Sequence, residues 1–234
     1  MGESSVPKNQ YTMSEFVNDT YLLITNVILK QYNRYDKIHV YGTSMGGAIV
    51  QNLIIQYPQY IQSVVIGCSL VHGTNAPKSN EFIEFIKQKP PTTPDELRLY
   101  GLQIMKFGYT PELMDNPFNK PYFDRIIEYR NKYKRDPVGA RQQSMALNTH
   151  NTESLLPNIR LPVLIQHGTD DSLLLYSNGE LLHKLIPNSV MSTYSKAGHI
   201  YWANDWMLGD DSRLPTELRD WYNKYENTQM QSSL

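Results

Sequence analysis

Ser44 stands between two glycines in the run Gly42-Thr43-Ser44-Met45-Gly46, a spacing that suits a serine hydroxyl raised for attack on a carbonyl carbon. A serine forced onto a sharp strand-to-helix turn has strained dihedrals, and glycine, lacking a β-carbon, lets neighbouring backbone pass close beside it. The hydroxyl alone is a poor nucleophile. It needs a histidine to take its proton, and that histidine needs a carboxylate to fix its tautomer and stabilise its charged form. Six histidines compete for the post. His199, in Ser195-Lys196-Ala197-Gly198-His199, is the preferred base because it follows the last expected strand, in a loop on the same sheet edge as Ser44. His39 and His167 belong to strands and read as core histidines with satisfied hydrogen bonds. His72, His150 and His183 lie in inserted or helical stretches with no carboxylate nearby in the pattern. For the acid, the turn His167-Gly168-Thr169-Asp170-Asp171 offers two neighbours, Asp170 and Asp171. Serine, acid and histidine then follow one another in the chain order that accompanies a nucleophile elbow.

Those side chains need particular elements to carry them. Residues 12–30 have apolar residues at helical spacing, with Thr12 or Ser14 available as a cap. The β-branched and aromatic run Ile38-His39-Val40-Tyr41-Gly42 leads into Ser44, and the chain from Met45 reads as a helix stopped near Pro58. Ser44 therefore sits between strand and helix, which is the context the motif requires. Further strands are expected over 62–68, 161–168 and 189–195, with a helix over 177–186 and a final amphipathic helix over 214–226. Alternating strands and helices give a parallel sheet of the α/β class. Residues 71–157 break this rhythm with helical segments punctuated by prolines, an insertion expected above the carboxyl ends of the strands, where open α/β sheets bind ligands. Phe82, Phe85, Met105, Phe107, Met114 and Phe123 are candidates to line a pocket there, although holding the insertion together is the simpler role for any one of them. The expected organisation is a core portion over 1–70, the helical insertion over 71–157, the rest of the core over 158–226 and a polar tail over 227–234.

Composition narrows the partners. The chain has 234 residues, 40% of them hydrophobic and 19% charged, and a formal net charge of −1, which argues against disorder and against nucleic acid as a partner. A small-molecule substrate fits better. Cys68, the one cysteine, lies in the apolar run Val64-Val65-Ile66-Gly67-Cys68 and reads as a core thiol in a reducing compartment. The apolar runs fall well short of the roughly 18 residues of a membrane-spanning helix. Residues 1–10 lack the features of a signal peptide, Val6 breaks a myristoylation pattern, and Ser232-Ser233-Leu234 lacks the lysine of a peroxisomal address, so a cytoplasmic location is expected. Neither H-E-x-x-H nor G-x-G-x-x-G occurs, and neither a metal nor a cofactor is expected.

Taken together, the stretches GESSVP, YTMSEFVND, HVYGTSMGG, VVIGCS, LPVLIQHGTDDSLL, NGELLHKLIPNS and KAGHIYW resemble the α/β-hydrolase superfamily, most closely its 3-oxoadipate enol-lactonase-like and haloperoxidase-like branch. The resemblance implies that the acid is Asp171, three residues after the glycine of the H-G-x-x-D turn, and that the Met45 N–H is one oxyanion donor. Leu175 replaces the proline usual after the acid, a departure that affects loop shape. The implied activity is ester or lactone hydrolysis by Ser44, Asp171 and His199; C–C bond hydrolysis and peroxidase-like chemistry use the same three residues. In the family GESSVP corresponds to the loop after the fourth strand, so the first four strands and a second oxyanion donor are expected to be missing. The alternative reading is then an impaired hydrolase-like fragment or binding scaffold. The elbow strand is expected to pair with the 62–68 strand on one side and to leave a bare, apolar edge on the other, making the chain prone to aggregate.

Overall fold

The computed structural model describes residues 9–32, 35–88, 93–133, 136–207 and 213–226. The GESSVP stretch and the tail over 227–234 lie outside the described residues. Four strands, β1 (Ile38–Thr43), β2 (Ile61–Gly67), β3 (Val163–Gly168) and β4 (Ser189–Tyr194), form a parallel sheet in the order β1-β2-β3-β4. Each begins and ends within two residues of its expected place.

Alternation along the strands assigns the helices to two faces. Register sets Val64 opposite Val163 and Val65 opposite Leu164. Val64, Ile66, Val163 and Ile165 point to one side, where they pack with Val17 and Ile24 near the start of the chain and with Leu53, Ile54 and Leu182. Val65 and Leu164 point to the other side, against Trp221 and Leu218. The first side is covered by α1 (Met13–Leu23), which runs on through a π-helical turn at Ile24–Ile28 into α2 (Leu29–Gln31), and by α3 (Met45–Gln56). Thr12 is the cap of α1, in a reciprocal box with Glu15.

Between β2 and β3 lie α4 (Asn80–Ile86), α5 (Pro94–Met105), α6 (Pro111–Asp115), α7 (Lys120–Lys132) and α8 (Pro137–Asn148). The prolines that punctuate this stretch start helices. Pro94, Pro111, Pro121 and Pro137 all occupy the first two helical positions, where the missing N–H would have had no intrahelical partner. Met105, Leu113, Phe123 and Ile127 form a buried cluster bordered by Met114, and Phe82, Phe85 and Phe107 meet ring to ring. Most of the six apolar candidates therefore hold these helices together.

The remaining helices are α9 (Ser177–Leu185) on the face of α3, α10 (Tyr201–Met207), and α11 (Arg213–Glu226) on the opposite face. α10 begins just past the loop expected around His199, in a stretch for which the sequence reading named no element. It is seven residues long, and its burial of Tyr201 and Ala203 anchors a segment that intrinsic propensity would leave undecided. Among the described residues no strand lies on the far side of β1, and Tyr41 on that strand is exposed, whereas β2 is almost wholly buried. No helix among the described residues is long and apolar enough to cross a membrane.

Candidate active site

The turn from β1 into α3 holds Ser44 at φ 54° and ψ −121°, a left-handed backbone that a residue with a β-carbon enters only under strain. Hydrogen bonds hold it there. The Ser44 N–H donates to Gly67 O at 2.9 Å, and the Ser44 carbonyl accepts from Gly47 N at 3.0 Å and from Ser69 Oγ at 2.8 Å. A Cβ on Gly42 would stand 2.4 Å from the Gly46 carbonyl oxygen, and one on Gly47 would stand 2.5 Å from Ser69 Cβ, while one on Gly46 would meet open space. The glycines that admit close backbone are thus Gly42 and Gly47; Gly46 matters through its own backbone. Gly42→Ala is expected to cost about 2 kcal/mol or more, roughly 4–8 °C in Tm, whereas Gly46→Ala within the helix is neutral or stabilising. Thermal unfolding of the two variants checks this, and equal losses would contradict it.

The acid and the histidine come together through a backbone crossing. A Cβ on Gly168 would lie 2.2 Å from Ala197 O and 2.4 Å from Gly198 O, and Asp170 N donates to Ala197 O at 2.9 Å. With the two loops in contact, His199 Nδ1 lies 2.7 Å from Asp171 Oδ2, and both side chains are buried. The other carboxylate oxygen of Asp171 accepts the N–H groups of Leu173 and Leu174 at 2.9 and 2.8 Å. Asp170, one residue earlier, is exposed and accepts from Thr169 Oγ1. The fold itself separates the two acids.

His167 completes the carboxylate's surroundings. Its Nε2 lies 3.2 Å from Asp171 Oδ2 and 2.9 Å from Leu174 O, and its buried Nδ1 meets no hydrogen-bond partner among the described residues, which places the proton on Nε2. Burial works to raise the Asp171 pKa, but the hydrogen bonds from His167 and His199 outweigh it and hold the carboxyl below its ordinary value. For His199, burial opposes the charged form, yet the Cys68 sulfur and the Asp171 carboxylate together push its pKa well above that of a free imidazole.

Ser44 is brought to the same end of the sheet without a bond to the base. Among the described residues no hydrogen bond joins its hydroxyl to His199, whose Nε2 instead faces Cys68 Sγ at 3.9 Å. Cys68 is buried, as expected of a core thiol, and has a positive φ of 36°. Met45 is the first residue of α3, so its N–H has no partner within the helix and lies at the positive end of the helix dipole, beside Ser44.

The profile described as alpha/beta hydrolase fold matches residues 1–201. The chain belongs to that family. This α/β hydrolase is 23% identical, over 71% of its length, to the 2-hydroxy-6-oxononadienedioate/2-hydroxy-6-oxononatrienedioate hydrolase of Pseudomonas sp, of which the match covers 57%. It is 22% identical, over 85% of its length, to Lipase 1 of Psychrobacter immobilis, of which the match covers 60%. The chain thus spans less than two thirds of either relative. Its fold is similar to that of an esterase from Rhodococcus sp. ECU1013, with a TM-score of 0.73 and 19% identity, covering 96% of this chain and 77% of that one.

The other histidines of this α/β hydrolase have partners elsewhere. His39 meets Ser63, His150 meets Asn52, and His183 meets Ser189. His72 departs from the sequence reading, since it lies 3.4 Å from the Glu153 carboxylate, a neighbour 81 residues away in the chain that no local pattern reveals. Two contacts at the site were also missed: His167 on Asp171, and Cys68 on His199. The first had a signal in the four-residue spacing of the H-G-T-D-D turn. The second had none.

Proposed function

We propose that this α/β hydrolase cleaves an ester or lactone of a small molecule through a covalent acyl-enzyme. The observation that carries the reading is the 2.7 Å contact between His199 Nδ1 and Asp171 Oδ2. With its proton on Nδ1 donated to the carboxylate, the imidazole presents an unprotonated Nε2 toward the end of the sheet that holds Ser44. Ser44 Oγ attacks the carbonyl carbon as Nε2 takes its proton. Negative charge gathers on the carbonyl oxygen, and the Met45 N–H is one donor to it. The tetrahedral intermediate collapses, and His199 returns the proton to the departing alkoxide. Water, activated by the same Nε2, then hydrolyses the acyl-serine and restores the hydroxyl. A base that meets its nucleophile loosely in the free enzyme is compatible with this course, because such bonds often tighten when substrate binds. The curated relatives, one named as a lipase and the other as a hydrolase of a dienedioate, support hydrolysis as the reaction class.

One observation favours a second reading, an impaired scaffold: His199 Nε2 faces Cys68 and is not bonded to Ser44. Pre-steady-state hydrolysis of p-nitrophenyl acetate separates the two. The enzyme reading expects a burst of p-nitrophenolate equal to the protein concentration, followed by turnover; no burst and no turnover would overturn it. The pH profile adds a sign. A base works when neutral, and the raised pKa of His199 moves the acid limb of kcat/KM above the ordinary imidazole range, to pH values higher than about 6.5. A limb below that value would contradict the assignment of His199.

A further inference from the structure

Beyond β1, β2 and β3, on the face covered by α11, the hydroxyl of Tyr201 sits at the meeting point of three strands. It lies 2.6 Å from the Tyr41 hydroxyl on β1 and donates to Gln166 Oε1 on β3 at 2.8 Å. On β2 it rests against Gly67, where a Cβ would come within 2.4 Å of it. Since the single proton of Tyr201 goes to Gln166, the proton between the two tyrosines comes from Tyr41. Gln166 Nε2 then donates to Glu217 Oε2 at 2.5 Å, and Tyr194 of β4 donates to the same oxygen at 2.8 Å. The chain of donors therefore runs from Tyr41 through Tyr201 and Gln166 to an anionic acceptor on α11, touching all four strands. Tyr194, Gln166 and Tyr201 are completely buried, a setting in which every member must be satisfied and removing one strands its neighbours.

The two ends of this chain matter for the site. Tyr41 lies three residues before Ser44, on the strand that leads into the elbow, and Tyr201 lies two residues after His199, at the first position of α10. We infer that the Tyr41–Tyr201 pair is a positioning device that sets the distance between the nucleophile strand and the histidine loop. This rests on the reading of Ser44, Asp171 and His199 as the reacting set. Neither tyrosine touches substrate; each acts through the backbone it anchors. The histidine loop is also tied to the acid loop, where Ala197 O accepts from Asp170 N at 2.9 Å and Lys196 N donates to Thr169 Oγ1 at 2.8 Å, and to the inserted helices through Ile200 N on Gly108 O at 2.8 Å; the tyrosine pair links it to the nucleophile strand. Tyr41 is 37% exposed as a whole residue, but loss of water around its hydroxyl end pushes that group up to about 12, so it remains a neutral donor throughout the working range of an esterase.

A double-mutant cycle tests the pair. Tyr201→Phe and Tyr41→Phe are each expected to lower the rate constant for phosphonylation of Ser44 by a fluorophosphonate about ten-fold, the loss of one part-buried hydrogen bond that fixes geometry. The double variant is expected to be no slower than Tyr201→Phe alone, because both changes break the same link. Ester hydrolysis should lose kcat with KM unchanged. Effects that multiply, or a fall in Tm with the rate per folded molecule unchanged, would overturn the inference and leave the tyrosines a structural role. A second readout is independent of turnover: the low-field proton resonance of His199 Nδ1–H on Asp171, which should broaden by exchange with water in both single variants. If the fluorophosphonate labels a residue other than Ser44, the hydrolase reading fails, and this resonance still decides the tyrosine link. An unchanged resonance in Tyr201→Phe would overturn it.

Discussion

Ser44→Ala is expected to lower kcat for ester hydrolysis by about 10⁶-fold, the scale on which a triad enzyme loses its nucleophile. The fold should survive. The hydrogen bonds that shape the turn involve the backbone N–H and carbonyl of Ser44, which alanine keeps, and the hydroxyl makes no bond to His199. Alanine also bears the same β-carbon at φ 54°, so the strain of the turn is unaltered. Steady-state kinetics on p-nitrophenyl acetate, with thermal unfolding measured alongside, read both quantities. Retained turnover would remove Ser44 from the reaction. A collapse in Tm would mean that the hydroxyl has a structural part that its contacts do not explain.

Asp171→Asn is expected to lower kcat by about 10⁴-fold, as when the carboxylate of a triad is replaced by an amide. Oδ1 of Asp171 accepts two backbone N–H groups, so asparagine will turn its oxygen to them and present its NH₂ to His199 Nδ1. That amide is a donor, which favours the tautomer with the proton on Nε2 and leaves no base facing Ser44. The same NH₂ faces the Nε2–H of His167, two donors in a buried space, and this should cost a further 1–3 kcal/mol of stability. Asp170→Asn is the control. Its carboxylate is exposed and accepts from Thr169 Oγ1, away from His199, so kcat should change little. If Asp170→Asn were the damaging change, the acid would have to be reassigned; small effects from both would mean that another group orients His199.

Much of this arrangement was legible in the chain. The elbow, the four strands and the pairing of an acid from the H-G-T-D-D turn with His199 follow from local signals: β-branched runs ending in small residues, a glycine spacing, and a chain order of serine, acid and histidine. The choice between Asp170 and Asp171 needed the family resemblance, and the burial of one beside the exposure of the other gives it a physical basis. What escaped the sequence is tertiary. α10 forms because Tyr201 has a buried slot at Gly67, and that slot belongs to a strand 134 positions earlier. Gly47, not Gly46, faces Ser69, since two glycines adjacent in a helix point in different directions and only the packing selects between them. Cys68 reads as core from its apolar neighbours, and nothing local tells that the last loop of the sheet returns a histidine to it.

The placement of the nucleophile is tested most directly by reacting the chain with a fluorophosphonate and mapping the adduct by mass spectrometry. A single adduct on Ser44, lost in Ser44→Ala and strongly slowed in His199→Ala, is the predicted result. An adduct on Ser69 or Cys68, or none on any residue at protein and probe concentrations that label an active esterase, would contradict it.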